Sequence, residues 1–454
     1  MTSFLMWFKK GNMQKSMIEG NTLKLILNFS IPLLLGNLFQ QFYNVVDAAI
    51  VGQTLGSYAL AAVGASSSVQ FLILGFCMGI CQGFAIMVSQ SYGAKRLDEM
   101  QTYIYAGAVW TAVTAFVISI LVVVFCADIL HILQVNHEIF NDAYAYLVVI
   151  FAGIPFTLLY NYLSAILRAI GDSKTPFFFL AFSAVLNIGF CILVLKWGCA
   201  GAAIATIFAQ AVSGILCLLL IAFKVNVLHV PKSSRYVDKK HSVKLLAMGV
   251  PMGLQFSITA IGSMVMQSAN NALGTIYVSG FTAGMRIKSL MMCPFDALGA
   301  AVSTFLSQNY GACKLERIHD GYRKGVMVSI LYGVFACVVM VFFGRIFSMM
   351  FVSANESQVL NASALYLRRM GYFYPILGIL ITTRMSVQGL GYSARAMLAG
   401  FVEMIARCIV ALCFVPIFKY NAITWADQTA WVAATLVLIP LWISTIRMVQ
   451  KKMC

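Results

Sequence analysis

Ser89-Gln90-Ser91-Tyr92-Gly93-Ala94-Lys95-Arg96-Leu97 returns 218 residues later as Ser307-Gln308-Asn309-Tyr310-Gly311-Ala312-Cys313-Lys314-Leu315, with six of nine positions identical. Other marks keep nearly that offset: Pro32 with Pro251, Pro155 with Pro375, and Gly171 with Gly391. Upstream of the motif, Gly75, Gly79 and Gly83 are matched by Cys293, Ala297 and Ala301. Both sets are stripes of small residues at a spacing of four, which let helix backbones approach closely in lipid. One such match could arise by chance; a series in register is an internal repeat, and it decides the fold.

The composition states what kind of fold repeats. Of 454 residues 61% are hydrophobic and 10% charged, against about 25% charged in a soluble domain, and the mean hydropathy is +0.87. A soluble enzyme and a disordered chain are both excluded. Apolar runs of about 20 residues exclude the short alternating segments of an outer-membrane barrel and read as membrane-spanning helices. Twelve spans are expected near 23–51, 58–88, 101–126, 140–167, 176–197, 200–223, 244–272, 279–308, 322–346, 359–390, 396–418 and 427–449. Six helices per repeat is an even number, so both halves insert with one orientation and are related by an axis along the membrane normal. The expected architecture is an all-α polytopic membrane protein of two six-helix lobes. The N-terminal tail covers 1–22, the lobes 23–223 and 244–449, a linker 224–243 and the C-terminal tail 450–454. Two equivalent lobes about a cleft suit a transporter working by alternating access.

Charge placement sets the expected orientation. With the N-terminus inside, the inside tails and connections hold 23 basic residues and the outside ends five, Lys196, Arg345, Arg368, Arg369 and Lys419; Arg286, Lys288 and Arg407 lie within spans. Both termini are therefore expected in the cytoplasm. The net charge of +16 reflects those loops, since no stretch interleaves basic and aromatic residues as a nucleic-acid surface would. The twelve cysteines form no Cys-x-x-Cys pair and read as small buried hydrophobes, not as disulfides or metal ligands. No cleavable signal pattern precedes the first run.

Ionisable groups inside spans are functional candidates by default. Asp47, Asp296 and Glu403 are the acids read well inside. Asn37, Gln40, Gln41, Asn44 and Asp47 recur at spacings of three and four, so a polar stripe runs down one face of the first helix. For Gln40, Gln41 and Asn44 the stripe is either interhelical glue or the wall of a cleft. Asp47 is the better proton site. Glu403 and Arg407 stand at i and i+4, the order that favours an ion pair, which is either self-neutralised structure or part of the working site. Asp296 lies two turns beyond Lys288, too far for a pair within the helix. Pro155, Pro294 and Pro375 should kink their spans, as hinges or as fitted packing.

With these residues in view, the chain resembles the multidrug and toxic compound extrusion (MATE) family. The likeness lies in Pro32-Leu33-Leu34 with Tyr43-Asn44-Val45-Val46-Asp47 and Gly52, in Leu167-Arg168-Ala169-Ile170-Gly171-Asp172-Ser173-Lys174-Thr175-Pro176, and in Gly198 with Gly201-Ala202-Ala203. It covers the chain from about Met17, where Met17-Ile18-Glu19-Gly20 resembles a usual family start. The resemblance implies export of organic cations or drugs in exchange for H⁺ or Na⁺, with no cofactor. Asp47 matches the first-helix aspartate that couples ion binding to substrate release in the DinF-like branch. Asn187 matches the asparagine of that branch's Asn-x-x-x-Asp motif, whose aspartate position here holds Cys191. The seventh helix lacks the acid of the NorM-like branch and offers Gln255, Gln267, Asn270 and Asn271, which favours protons. Gln40, Tyr43, Asn44, Cys191, Gln255, Gln267 and Asn270 are expected to line the cavity, with Asp296, Glu403 and Arg407 as further charged candidates.

Two alternatives weigh less. A lipid-linked oligosaccharide flippase of the same superfamily would want a basic cavity, and the few basic residues within spans are matched by acids. A membrane enzyme would need grouped catalytic residues, and His131, His137, His229, His241 and His319 are scattered in loops and span ends. The expected protein is a monomer in the bacterial inner membrane, bathed in lipid and handling small hydrophobic cations, without nucleic acid.

Overall fold

The computed structural model describes residues 16–132 and 135–453, and every regular element among them is helical. Most of the tail drawn at 1–22 lies outside the described residues. The first half is α1 (Thr22–Leu55), α2 (Ser57–Gly93), α3 (Leu97–Val124), the short α4 (Cys126–Ile132), α5 (His137–Ala152), α6 (Ile154–Ala169), α7 (Lys174–Val194) and α8 (Cys199–Lys224). The second half is α9 (Lys239–Asn271), α10 (Thr275–Gly311), α11 (Leu315–Ser348), α12 (Ser357–Gly371), α13 (Tyr374–Gly389), α14 (Ser393–Ile409), α15 (Val415–Phe418) and α16 (Tyr420–Met453). A π-helical turn, Val410–Phe414, joins α14 to α15.

Among the described residues, ten helices are long and apolar enough to span a membrane, and the bent pair α5–α6, which meets at 47°, makes eleven. The twelfth position is filled by α12 and α13. They repeat the α5–α6 break 220 residues later, with Pro375 opening α13 as Pro155 opens α6. Arg368, Arg369 and Arg384 leave this span less apolar than the rest. Pro155 and Pro375 therefore do break their spans, because proline fits the first turn of a new helix. Pro294 does not, for α10 runs through it without interruption.

The repeat is written into the backbone. Among the described residues, all the left-handed positions but Gly20 come in pairs: Gly56 (φ 90°) with Gly274 (100°), Lys95 (57°) with Cys313 (55°), Gly171 (92°) with Gly391 (95°), and Gly198 (68°) with Lys419 (49°). The recurring Tyr-Gly-Ala stretch ends α2 and α10 in the same way. Arg96 N–H reaches Ser91 O at 3.1 Å, and Lys314 N–H reaches Asn309 O at 2.9 Å. This is the six-to-one closure of a Schellman motif.

The small-residue stripe of α2 is the seam between the halves. A Cβ on Gly79 would meet Met252 O at 2.6 Å, and one on Gly83 would meet Gly249 Cα at 2.6 Å. Higher up, Ser257 Oγ donates to Leu72 O at 3.2 Å. The seam runs from the 89–97 and 307–315 turns as far as Leu72. Beyond it Phe71, Tyr58 and Ile261 are exposed. The halves are joined at one end and part at the other. Each half also lends the start of its first helix to the other's core, while Val51 near the end of α1 and Met266 near the end of α9 are buried with their own halves. Met17, Ile26 and Phe29 are buried with the second half's Phe305 and Leu306, whereas Leu245, Met248 and Met252 are buried with the first half's Ile80 and Phe84. The boundaries at 23 and 244 thus divide the sequence without dividing the two cores.

Candidate functional site

In the first half the polar stripe of α1 meets α7 and α8. The spacing of α1 turns Gln40, Tyr43 and Asp47 to one side, and the i, i+4 spacing of α7 turns Asn187 and Cys191 to meet them. Cys191 Sγ stands 3.7 Å from Asp47 Oδ1. Asn187 Nδ2 donates to Thr206 Oγ1 at 3.2 Å, and Thr206 bonds back to Ala202 O at 3.2 Å. Gln40, Tyr43, Ser183, Asn187, Thr206 and Gln210 line a small pocket here. Asn187 and Cys191 are 1% and 0% exposed, while Asp47 is half-buried. Asn187 Oδ1 and Gln210 Oε1 are buried without a hydrogen-bond partner. Buried polar groups are nearly always satisfied. A pocket whose free atoms are carbonyl oxygens, next to a carboxylate, gains by receiving a cation or a proton donor.

The other expected cavity residues divide. Asn44 is exposed on α1. Gln267 is half-buried and donates from Nε2 to Asn271 Oδ1 at 2.8 Å. Gln255 does not reach the Asp47 pocket: it is 5% exposed and accepts from Gln388 Nε2 at 2.8 Å. Asn270 is wholly buried, with both side-chain polar atoms unpaired. Gln255, Gln267 and Asn270 share α9, but Gln255 lies about 18 Å along the helix from Gln267, so they do not form one wall.

The second half holds a network of charges. Asp427 on α16 takes Lys288 Nζ of α10 at 2.5 Å, Arg407 Nε of α14 at 3.1 Å and the Tyr366 hydroxyl of α12 at 2.7 Å. Arg407 Nη2 is 3.5 Å from Glu403, whose other oxygen is paired with Arg384 of α13. The Glu403–Arg407 pair is therefore one edge of a five-helix network. Lys288, Glu403, Arg407 and Asp427 are all under 9% exposed. Asp296 stands exposed on α10, within electrostatic reach of Arg384. Three cations face three carboxylates. Breaking such a pair leaves a buried charge uncompensated, at a cost of about 3–5 kcal/mol. Asp427→Asn should therefore lower the thermal midpoint of the detergent-solubilised protein far more than Tyr366→Phe, which removes one hydrogen bond to a charge, about 1.5–3 kcal/mol. Equal, small shifts would show that the network is not what holds these helices.

Two members of the network escape a reading of the sequence. Asp427 falls at the edge of the span drawn at 427–449, but α16 begins at Tyr420 and carries it two turns inside. Arg384 falls inside the span expected at 359–390 without being among the charges read there, and lies within α13. No spacing signals either, because their partners stand on other helices. Among the described residues no group of three His, Cys, Asp or Glu could hold a metal.

The profile of the MatE family matches residues 32–193 and, separately, 251–413, one copy per half. The chain belongs to the MatE family. The probable multidrug resistance protein YpnP of Bacillus subtilis is 31% identical over 90% of this chain and 90% of its own length. Among solved structures, a MATE crystallised in complex with MaL6 gives a TM-score of 0.89 at 20% identity, covering 96% of this chain and 99% of its own. A MATE described as outward-facing gives 0.86 at 19% identity, over 96% of this chain and 97% of its own. MATE proteins are transporters, so this one is a multi-pass membrane transporter and not an enzyme. The two profile copies coincide with the repeat found in the sequence.

Proposed function

We propose that this MATE transporter exports small, partly hydrophobic organic cations from the bacterial cytoplasm across the inner membrane, in exchange for H⁺. The observation that carries the reading is Asp47, half-buried against Cys191, one helical turn along α7 from Asn187 with its unpaired oxygen, in a protein whose halves are joined at one end only. A carboxylate in that setting attracts a cation when charged and releases it when protonated. The joined end carries Lys95, Arg96, Lys314 and Arg317, which the positive-inside rule assigns to the cytoplasm. On that orientation both termini are cytoplasmic and the structure faces outward. The basic groups Lys288, Arg384 and Arg407 are matched by acids, and Arg286 shares its cavity with Glu356, so no basic chamber awaits a pyrophosphate. Exposed Phe, Met and Tyr side chains of the spans suit varied apolar shapes.

Expression in a drug-sensitive host should raise resistance to cationic dyes and speed efflux of a fluorescent cation from loaded cells. Efflux should follow an imposed pH gradient and ignore a Na⁺ gradient. Unchanged resistance to every cation tested would overturn the substrate class. Efflux driven by Na⁺ alone would overturn the coupling ion.

A further inference from the structure

At the joined end the two repeats make one contact twice. Gln90 Nε2 of α2 donates to Gly389 O at 3.0 Å, and its repeat mate Gln308 of α10 donates to Ala169 O at 2.9 Å. Ala169 and Gly389 are the last residues of α6 and α13, where helix carbonyls have no helical N–H to accept. Each glutamine thus donates to a helix-end carbonyl of the opposite half, and Gly389 O accepts from Ser307 Oγ at 2.8 Å as well. The recurring Ser-Gln-x-Tyr-Gly-Ala is a paired latch.

One latch alone is reinforced. Gln308 Oε1 also accepts from Met17 N–H at 2.8 Å. Asn309 Nδ2 and Arg317 Nη2 each donate to Met17 O at 3.1 Å, Lys314 Nζ to Ile18 O at 3.2 Å, and Arg317 Nη1 to Gly20 O at 2.9 Å. Arg317 Nε in turn fixes Asn309 Oδ1 at 3.0 Å. Met17 and Ile18 are 2% and 7% exposed, so this stretch is packed, not draped. At the matching positions of the first repeat, Ser91 replaces Asn309 and Glu99 replaces Arg317. Glu99 faces Arg96 and Lys244. A seat for the bent segment 16–20 exists in the second repeat only.

We propose that the segment before α1, residues 16–20, is a strap that clamps Gln308 in its latching orientation. Its release is then a required step in opening this end, and the N-terminal segment sets the balance between the two facing states. The proposal goes beyond the efflux reading; only the statement that this end is cytoplasmic rests on it.

Spin labels on Lys95→Cys and on the native Cys313, repeat mates that are both exposed at this end, report its opening by distance in lipid nanodiscs, with the other reactive cysteines replaced. The full chain should give a short distance. Arg317→Ala, and separately removal of residues 1–20, should each raise the long-distance population about tenfold. Combining them should add little, since both act through one contact. Lys324→Ala, which loses only a surface pair with Asp320, should match the full chain. Short distances in both variants, or a shift with Arg317→Ala but none on truncation, would overturn the strap. No substrate enters the measurement, so the strap can fail while the efflux reading stands, and the reverse.

Discussion

Asp47→Asn is expected to abolish ion-driven efflux while the protein stays folded and in the membrane. The change keeps size and shape and removes the group that can be either charged or neutral. A ligand or ion can shift a two-state protein only through a difference in how it binds the two states, and Asp47 is the carboxylate beside the pocket of Gln40, Tyr43, Asn187 and Thr206. Its companion Cys191, 3.7 Å away, offers a weak donor where the resemblance expects a second acid, so the switch rests on one carboxylate. Stability should hold because Asp47 has no ion-pair partner among the described residues, unlike Asp427. Cys191→Asp should be tolerated, placing two carboxylates side by side and altering ion preference. Efflux of a fluorescent cation under an imposed pH gradient, then under a Na⁺ gradient, tests both parts. Asp47→Asn protein that pumps at the normal rate would place coupling elsewhere, with Glu403 the next residue to examine.

How much of this was legible in the sequence follows from the range of each interaction. The repeat was, because a turn such as Tyr92-Gly93-Ala94-Lys95 is fixed by local backbone demands that leave the same letters twice. Asp47 and its stripe were, because helical spacing alone puts Gln40, Asn44 and Asp47 on one side. The break at Pro155 and Pro375 was legible as a kink, and the structure shows full interruptions. The charge network was not, because Lys288, Tyr366, Arg384, Arg407 and Asp427 are joined across five helices by links that span 19 to 139 residues. Glu403 with Arg407 was visible only as an edge of it. The swap of α1 and α9 between cores was hidden for a like reason: the repeat reports chain order, and cores form by contact. Gln90 and Gln308 stood in plain view, but their partners are backbone carbonyls, which any residue supplies.

The second large effect is expected from a single methyl group. A Cβ on Gly93 would lie 2.0 Å from Gln308 O, and one on Gly311 would lie 1.9 Å from Gln90 O. The obstacles are backbone atoms at the ends of α2 and α10, so neither side can turn away as a flexible side chain would. Overpacking of this kind costs about 1–3 kcal/mol or more. That cost falls only on the state in which this end is joined, because the approach is between halves. Gly93→Ala and Gly311→Ala should therefore fold, since alanine favours the helix each glycine sits in. They should shift the balance toward the opposite facing state by about tenfold to a hundredfold, and efflux should fall as the state joined at this end becomes rare. Ser89 is 2% exposed at this end, so Ser89→Cys should react with a thiol reagent only while the halves are apart, and much faster when Gly311→Ala is added. Gly189→Ala on α7, where a Cβ meets nothing within 4 Å, should change neither labelling nor efflux. Slow labelling and normal efflux in both Gly93→Ala and Gly311→Ala would mean the seam gives way without cost, and that the glycines do not hold the state joined at this end.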